Sequence, residues 1–150
     1  MSEYRRQALI DCPVERVWDL VGDPRRHPEW WPRVVDVDGI EEPVSNVEFV
    51  QTTRRYGGQI KTTTMKIEEL EDLRHIHLRC LDTGTFADWR LTEAQGSTFA
   101  ELEMGMEPAT RPLRAFDRIL GKRFYGQWSE QALEGLQRAV APGKEEPGPA

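Results

Sequence analysis

Chemistry in this chain would have to come from a small set of side chains. His75 and His77 stand two apart, a spacing that puts both imidazoles on one face of a strand, where they could hold a metal ion or move a proton. The register expected for the surrounding strands puts them on the outer, charged face. There His77 would neighbour Lys66 and Arg90, a poor setting for a cation, and His75 would face Glu68 and Thr92. A structural or solvated role is expected for both. His27 falls in a short segment bracketed by prolines and is expected to be exposed. Cys12 and Cys80 are the only cysteines, and no Cys/His spacing matches a zinc site, so reduced structural thiols, no metal and no cofactor are expected. No Gly-x-Ser-x-Gly motif is present, and Ser2, Ser45, Ser97 and Ser129 fall at loops or a helix surface. Gly57-Gly58 lacks the Lys and helix of a phosphate loop. No pair of inward carboxylates is available for general acid–base work, so no catalytic residue is assigned.

Strands able to position side chains are written most clearly from Gln59 to Pro108. Two-residue turns at Glu71-Asp72, Thr83-Gly84 and Gln95-Gly96 would align apolar positions across four strands. Ile67, Ile76, Leu91 and Ala100 then share a layer. Met65, Leu78, Trp89 and Leu102 form the next, and Thr63, Cys80, Ala87 and Met104 the third. An earlier strand, Val47 to Arg55, joins the same face only if an odd-length loop or a bulge lies near Gly57-Gly58-Gln59. That choice sets Phe49 against Ile67, Gln51 against Met65 and Thr53 against Thr63. Arg79, Asp88, Arg90, Glu101 and Glu103 fall on the other face as a checkerboard of opposite charges.

Ahead of the meander, Glu3 to Ile10 reads as a first strand. Pro13 opens a helix with Val14, Val17, Trp18 and Val21 along one buried stripe. Asp23-Pro24 starts a second, short helix that Pro28 and Pro32 confine. Val34 to Glu42 reads as a further strand. A long helix from about Arg111 to Ala139, capped by Thr110, should cover the apolar face, with a bend or change of partner near Gly121 to Gly126.

At 150 residues one domain over residues 1–140 is expected, followed by a disordered Pro/Gly-rich tail over residues 141–150. The formal charge of -6 offers no basic footprint for nucleic acid. No run of about 18 apolar residues suggests a membrane span. The first residues lack an apolar signal region, so a cytoplasmic protein is expected.

The segment IDCPVERVWDLVGDPRRHPEWWP, residues 10–32, resembles the opening of the polyketide cyclase/dehydrase branch of the START/Bet v1-like (SRPBCC) superfamily. The resemblance extends through the meander to the last helix. It implies an α+β helix-grip fold, a seven-stranded antiparallel sheet wrapped around a long C-terminal helix, with two short helices after strand 1. It also implies a central cavity for sterols, lipids, hormones or polyketides, in which some members catalyse cyclisation.

Within such a container the third layer is small and partly polar, so the roomiest part should lie near Gly57-Gly58 and Thr83-Gly84, which would flank the entrance. The expected lining is Trp31, Gln51, Thr53, Thr63, Met65, Cys80, Ala87, Trp89, Met104, Phe116, Leu120 and Phe124. Tyr56, Lys61 and Asp82 would stand at the mouth, Lys61 and Asp82 opposite each other as an ion pair. The plainer alternative is that Phe116, Leu120, Phe124 or Trp128 fills the gap. Three functions follow: binding of a hydrophobic small molecule, a cyclase or aromatase, or an interaction module with a filled core.

Overall fold

The computed structural model describes the backbone of residues 2–55, 57–107 and 122–141. Strand β1 (Ser2–Ile10) leads into α1 (Val14–Val21), a 3-10 turn (Pro24–Arg26) and α2 (His27–Trp30). Six strands follow: β2 (Val34–Asp38), β3 (Glu48–Arg54), β4 (Ile60–Glu71), β5 (His75–Cys80), β6 (Thr85–Ala94) and β7 (Ser97–Met106). Helix α3 (Lys122–Val140) closes the described chain. The sheet has seven strands in the order β1-β7-β6-β5-β4-β3-β2, every neighbouring pair antiparallel. Helix α3 packs on β1, β7, α1 and α2. This is the helix-grip arrangement. The expected part of the last helix before Lys122 lies outside the described residues, as does the tail beyond residue 141.

Local chemistry explains the short helices. The α1 stripe of Val14, Val17, Trp18 and Val21 is buried, and Pro13 supplies its extended N-cap. Asp23 Oδ1 accepts from the Arg25 amide at 3.0 Å and so caps the 3-10 turn that Pro24 begins. Strand β2 ends at Asp38, short of the expected Glu42, because Gly39 turns the chain at φ 83°.

Face alternation holds along the sheet except at bulges in β2, between Val34 and Asp36, and in β4, between Ile67 and Glu69, and three registers differ from expectation by two residues. Phe49 pairs with Met65 and Gln51 with Thr63. The Arg55 N–H donates to the Gln59 carbonyl at 2.7 Å, so three positions separate the strands there. Between β4 and β5 the turn takes Asp72, Leu73 and Arg74, with Leu73 at φ 66°, and a bulge lies between Ile67 and Glu69. Together these set Ile67 against Leu78 and Met65 against Cys80. The next loop spans Leu81 to Gly84, closed by the Gly84 N–H donating to the Cys80 carbonyl at 2.9 Å. Consequently Ile76 faces Trp89, and Leu78 faces Ala87. Only the Gln95-Gly96 hairpin has its expected register, with Leu91 opposite Ala100 and Trp89 opposite Leu102.

A shift of two residues preserves the face. Ile67, Ile76, Trp89 and Leu102 are therefore all fully buried, each contributing about 1.5–3 kcal/mol of burial free energy. Cys12 and Cys80 are free thiols, both buried. Ser129 is also buried, its hydroxyl donating to the Gly126 carbonyl at 3.1 Å, rather than lying on the helix surface. No helix among the described residues is long and apolar enough to cross a membrane.

Candidate functional site

The concave side of the sheet divides into a filled end and a hollow end. At the filled end Trp30 and Trp31 stack at 5.3 Å and 20°, and Trp89 meets both edge-on at 5.5 and 5.7 Å. His27 sits among them, 5.4 Å from Trp30 and 5.0 Å from Trp31. It is fully buried rather than exposed, and its Nε2–H donates to the Val21 carbonyl at 2.9 Å. Burial pushes its pKa down to about 4, so the ring is neutral at pH 7. The prolines that bracket this segment direct it inward, and the tryptophans enclose it. Trp30 Nε1 donates to the Leu20 carbonyl at 3.1 Å and Trp128 Nε1 to the Pro32 carbonyl at 3.0 Å, tying α1, the loop after α2 and α3 together.

Beyond this cluster lies a cavity of about 710 Å³. Gln51 and Thr53 of β3, Thr63 and Met65 of β4, Leu78 and Cys80 of β5, Ala87 of β6 and Met104 and Met106 of β7 line its sheet side. Phe124, Tyr125, Gln127 and Trp128 of α3 face them, and Trp31 and Val34 close the inner end. Small side chains, Cys80, Ala87, Thr53 and Thr63, stand among the larger residues of this face and leave space beneath α3. Trp31 Nε1 and Trp89 Nε1 are buried with no hydrogen-bond partner among the described residues. A hydroxyl chain also reaches the wall: Thr83 Oγ1 donates to Thr85 Oγ1 at 2.9 Å, and Thr85 Oγ1 lies 2.9 Å from the Tyr125 hydroxyl.

The two loops at this end differ. Gly84, at φ 83°, lies so close to the carbonyl of Glu107 that a Cβ there would sit 1.9 Å from its oxygen. The Glu107 N–H also donates to the Gly84 carbonyl at 2.9 Å, so this loop is pinned to the end of β7. At Gly57 and Gly58 nothing lies within 4 Å of a built Cβ.

Of the residues expected to line a pocket, Trp31, Gln51, Thr53, Thr63, Met65, Cys80, Ala87, Met104 and Phe124 do line this cavity, and Lys61 stands on its rim. Tyr56, Phe116 and Leu120 lie outside the described residues. Trp89 does not line it. The two-residue shift sets Trp89 opposite Ile76, one layer further in, where the other tryptophans cover it. Asp82 does not meet Lys61 either: its carboxylate accepts from the Thr64 N–H at 2.8 Å, and Lys61 pairs with Thr53.

Sequence reasoning missed the charge of the rim. Arg33, Arg54, Arg55, Lys61 and Arg123 line the cavity, with no Asp, Glu or His among its described lining residues. These cations come from the start of β2, the end of β3, the start of β4 and the first turn of α3, so no local sequence signal collects them. The chain as a whole is acidic, at -6, so a carboxylate-free rim runs against its composition.

On the convex side His75 and His77 also differ from expectation. The register opposes His77 to Asp88 and His75 to Arg90. Burial raises the Asp88 pKa, but hydrogen bonds from His77 and His75 and the charge of Arg90 outweigh it and hold the carboxyl down at about 2. The same hydrogen bond to Asp88 raises the pKa of His77.

With this geometry in view, the chain belongs to the polyketide cyclase/dehydrase and lipid transport family, whose model matches residues 1–141. Solved structures carry the same fold. A START superfamily protein from Mycobacterium smegmatis is 13% identical with a TM-score of 0.73, covering 92% of this chain and 96% of its own. A protein from Thermus thermophilus is 17% identical at TM-score 0.73, covering 93% and 97%. The Zhui aromatase/cyclase from Streptomyces sp. R1128 is 15% identical at TM-score 0.71, covering 93% of each chain. No curated protein matches.

Proposed function

We propose that the chain binds an amphiphilic small molecule, with its apolar body in the cavity and an anionic group at the rim. The observation that carries this reading is the set of Arg33, Arg54, Arg55, Lys61 and Arg123 around a mostly apolar cavity, with no carboxylate among the described lining residues. A cavity of about 710 Å³ suits a lipid-sized or polyketide-sized body. Burying such a body contributes about 0.8 kcal/mol per methylene, set against roughly 4–15 kcal/mol for lost freedom. The apolar body therefore supplies most of the affinity. The rim supplies discrimination, since one charge pair near a protein surface contributes about 4 kcal/mol at most. Family membership supports a hydrophobic ligand and does not choose among lipid, sterol and polyketide.

A cyclase acting in the same cavity is the second reading, favoured by the hydroxyl chain of Thr83, Thr85 and Tyr125 at its wall. Those groups can orient a ligand carbonyl. General acid–base catalysis near neutral pH would draw on a group titrating close to that pH, and the described lining offers no carboxylate or imidazole. Binding is accordingly the stronger reading. Native mass spectrometry of freshly purified protein, followed by extraction, tests it. A bound organic acid of defined mass is expected. An empty protein that also shows no thermal shift with fatty acids or aromatic polyketides would overturn it.

A further inference from the structure

The convex face of the sheet carries a constellation for which ligand binding in the cavity has no use. His75 Nε2 lies 2.6 Å and His77 Nδ1 2.8 Å from one oxygen, Asp88 Oδ1. All three potential ligand atoms fall within 4.8 Å of one another. The second carboxylate oxygen, Oδ2, accepts from Arg90 Nε at 3.0 Å, which fixes the rotation of the carboxylate toward the histidines. The His77 ring stacks on Phe86 at 5.5 Å and 15°. Its other nitrogen, Nε2, lies 3.6 Å from Glu68 Oε1. The three side chains are 12%, 23% and 9% exposed, so they are largely desolvated yet reachable from solvent.

We propose that His75 Nε2, His77 Nδ1 and Asp88 Oδ1 bind one divalent first-row transition-metal ion on the convex face of the sheet. Two imidazoles and one carboxylate are a donor set that zinc, cobalt and their neighbours accept at about 2.0–2.2 Å. A four-coordinate ion with bonds of about 2.1 Å sets its ligand atoms about 3.4 Å apart, so each histidine nitrogen must draw back from Asp88 Oδ1 by about 0.6–0.8 Å, a movement that side-chain rotation supplies. Glu68, 3.6 Å from the distal nitrogen of His77, places a negative charge that favours the proton on that nitrogen and the lone pair on Nδ1. Glu69, opposite His77, and Glu103, opposite Asp88, add negative potential, set against Arg90, the Lys66–Arg79 pair beside His77 and Arg5, which pairs with Glu103 at 3.4 Å. Partial exposure leaves the remaining coordination position to water. The four-residue loop after β5 sets Asp88 opposite His77, and the bulge between Ile67 and Glu69 sets Glu69 opposite the same histidine.

The test titrates chelator-stripped full-length protein first with cobalt and then with zinc. One ion per chain is expected, with cobalt ligand-field bands of low coordination number and no thiolate charge-transfer band. His77→Gln and Asp88→Asn should each weaken zinc at least tenfold, and Glu68→Gln by up to about tenfold. A readout independent of any variant is histidine nitrogen NMR of the wild-type protein. Zinc should move His75 Nε2 and His77 Nδ1 and leave His27 unmoved. No uptake at millimolar zinc would overturn the proposal, leaving a hydrogen-bonded ion triad. So would a thiolate band assigning the ion to Cys12 or Cys80, or uptake that leaves the His75 and His77 resonances in place.

Discussion

The two ends of the concave face are built from the same alternating strands, yet one is solid and the other hollow. At the solid end Trp30, Trp31, Trp89 and His27 interlock, and Trp30 Nε1 and His27 Nε2 each find a backbone carbonyl. At the hollow end Thr63, Cys80 and Ala87 line a cavity of about 710 Å³ whose rim carries four arginines and Lys61. Side-chain bulk at equivalent inward positions, rather than any change of backbone plan, separates the structural half of the core from the half open to a ligand.

Truncations should cost very different amounts at the two ends. Trp89→Ala is expected to lose about 3–5 kcal/mol in denaturant unfolding, whereas Thr63→Ala should cost less than about 1 kcal/mol. Equal costs would erase the distinction. Acid should act on the solid end next. His27 has a folded pKa of about 4 against 6.5 in the unfolded chain, so the unfolded state takes up the proton first as pH falls. Stability should therefore decline by roughly 3 kcal/mol from this group between about pH 6.5 and pH 4. His27→Gln should flatten that slope in a pH series of unfolding curves. On the convex face His77 has the opposite sign. Its raised pKa stabilises the fold below about pH 6.5, a contribution lost as pH rises through its folded value.

A smaller effect is expected where α3 crosses the loop after α2. A Cβ on Gly135 would lie 2.1 Å from the Trp30 carbonyl oxygen. Gly135→Ala gains helix propensity of up to about 1 kcal/mol but must displace that carbonyl, for a net loss of roughly 1–3 kcal/mol. Thermal melts check this. At the hollow end Ala87→Leu should change stability by less than about 1.5 kcal/mol while filling the cavity. Its signature is a loss of ligand uptake of at least tenfold in native mass spectra, without unfolding.

The fold was legible because strand alternation and loop parity carry the face of every residue. Phe49, Met65, Leu78 and Met104 point inward under both the expected and the observed register. Register itself was not legible. Leu73 occupies the left-handed region at φ 66°, where residues 71–74 offer no Gly or Asn to announce a three-residue turn. The bulge beside Glu68 leaves no compositional mark. What depends only on the face therefore survived into the cavity lining. What depends on the cross-strand neighbour did not: Trp89 moved to the solid end, Asp82 left Lys61, and Asp88 arrived between His75 and His77. The cationic rim was hidden for a third reason, since its members meet only when β2, β3, β4 and α3 are assembled.

The most direct test of an anion held at the mouth of an apolar cavity is calorimetric titration with a matched pair, dodecanoate and its methyl ester. The acid is expected to bind at least tenfold tighter, about 1.4 kcal/mol. An Arg54→Glu/Arg123→Glu double variant should remove that preference and leave the affinity for the ester unchanged. Equal affinities for acid and ester in the wild-type protein, or a preference that survives the double charge reversal, would contradict it.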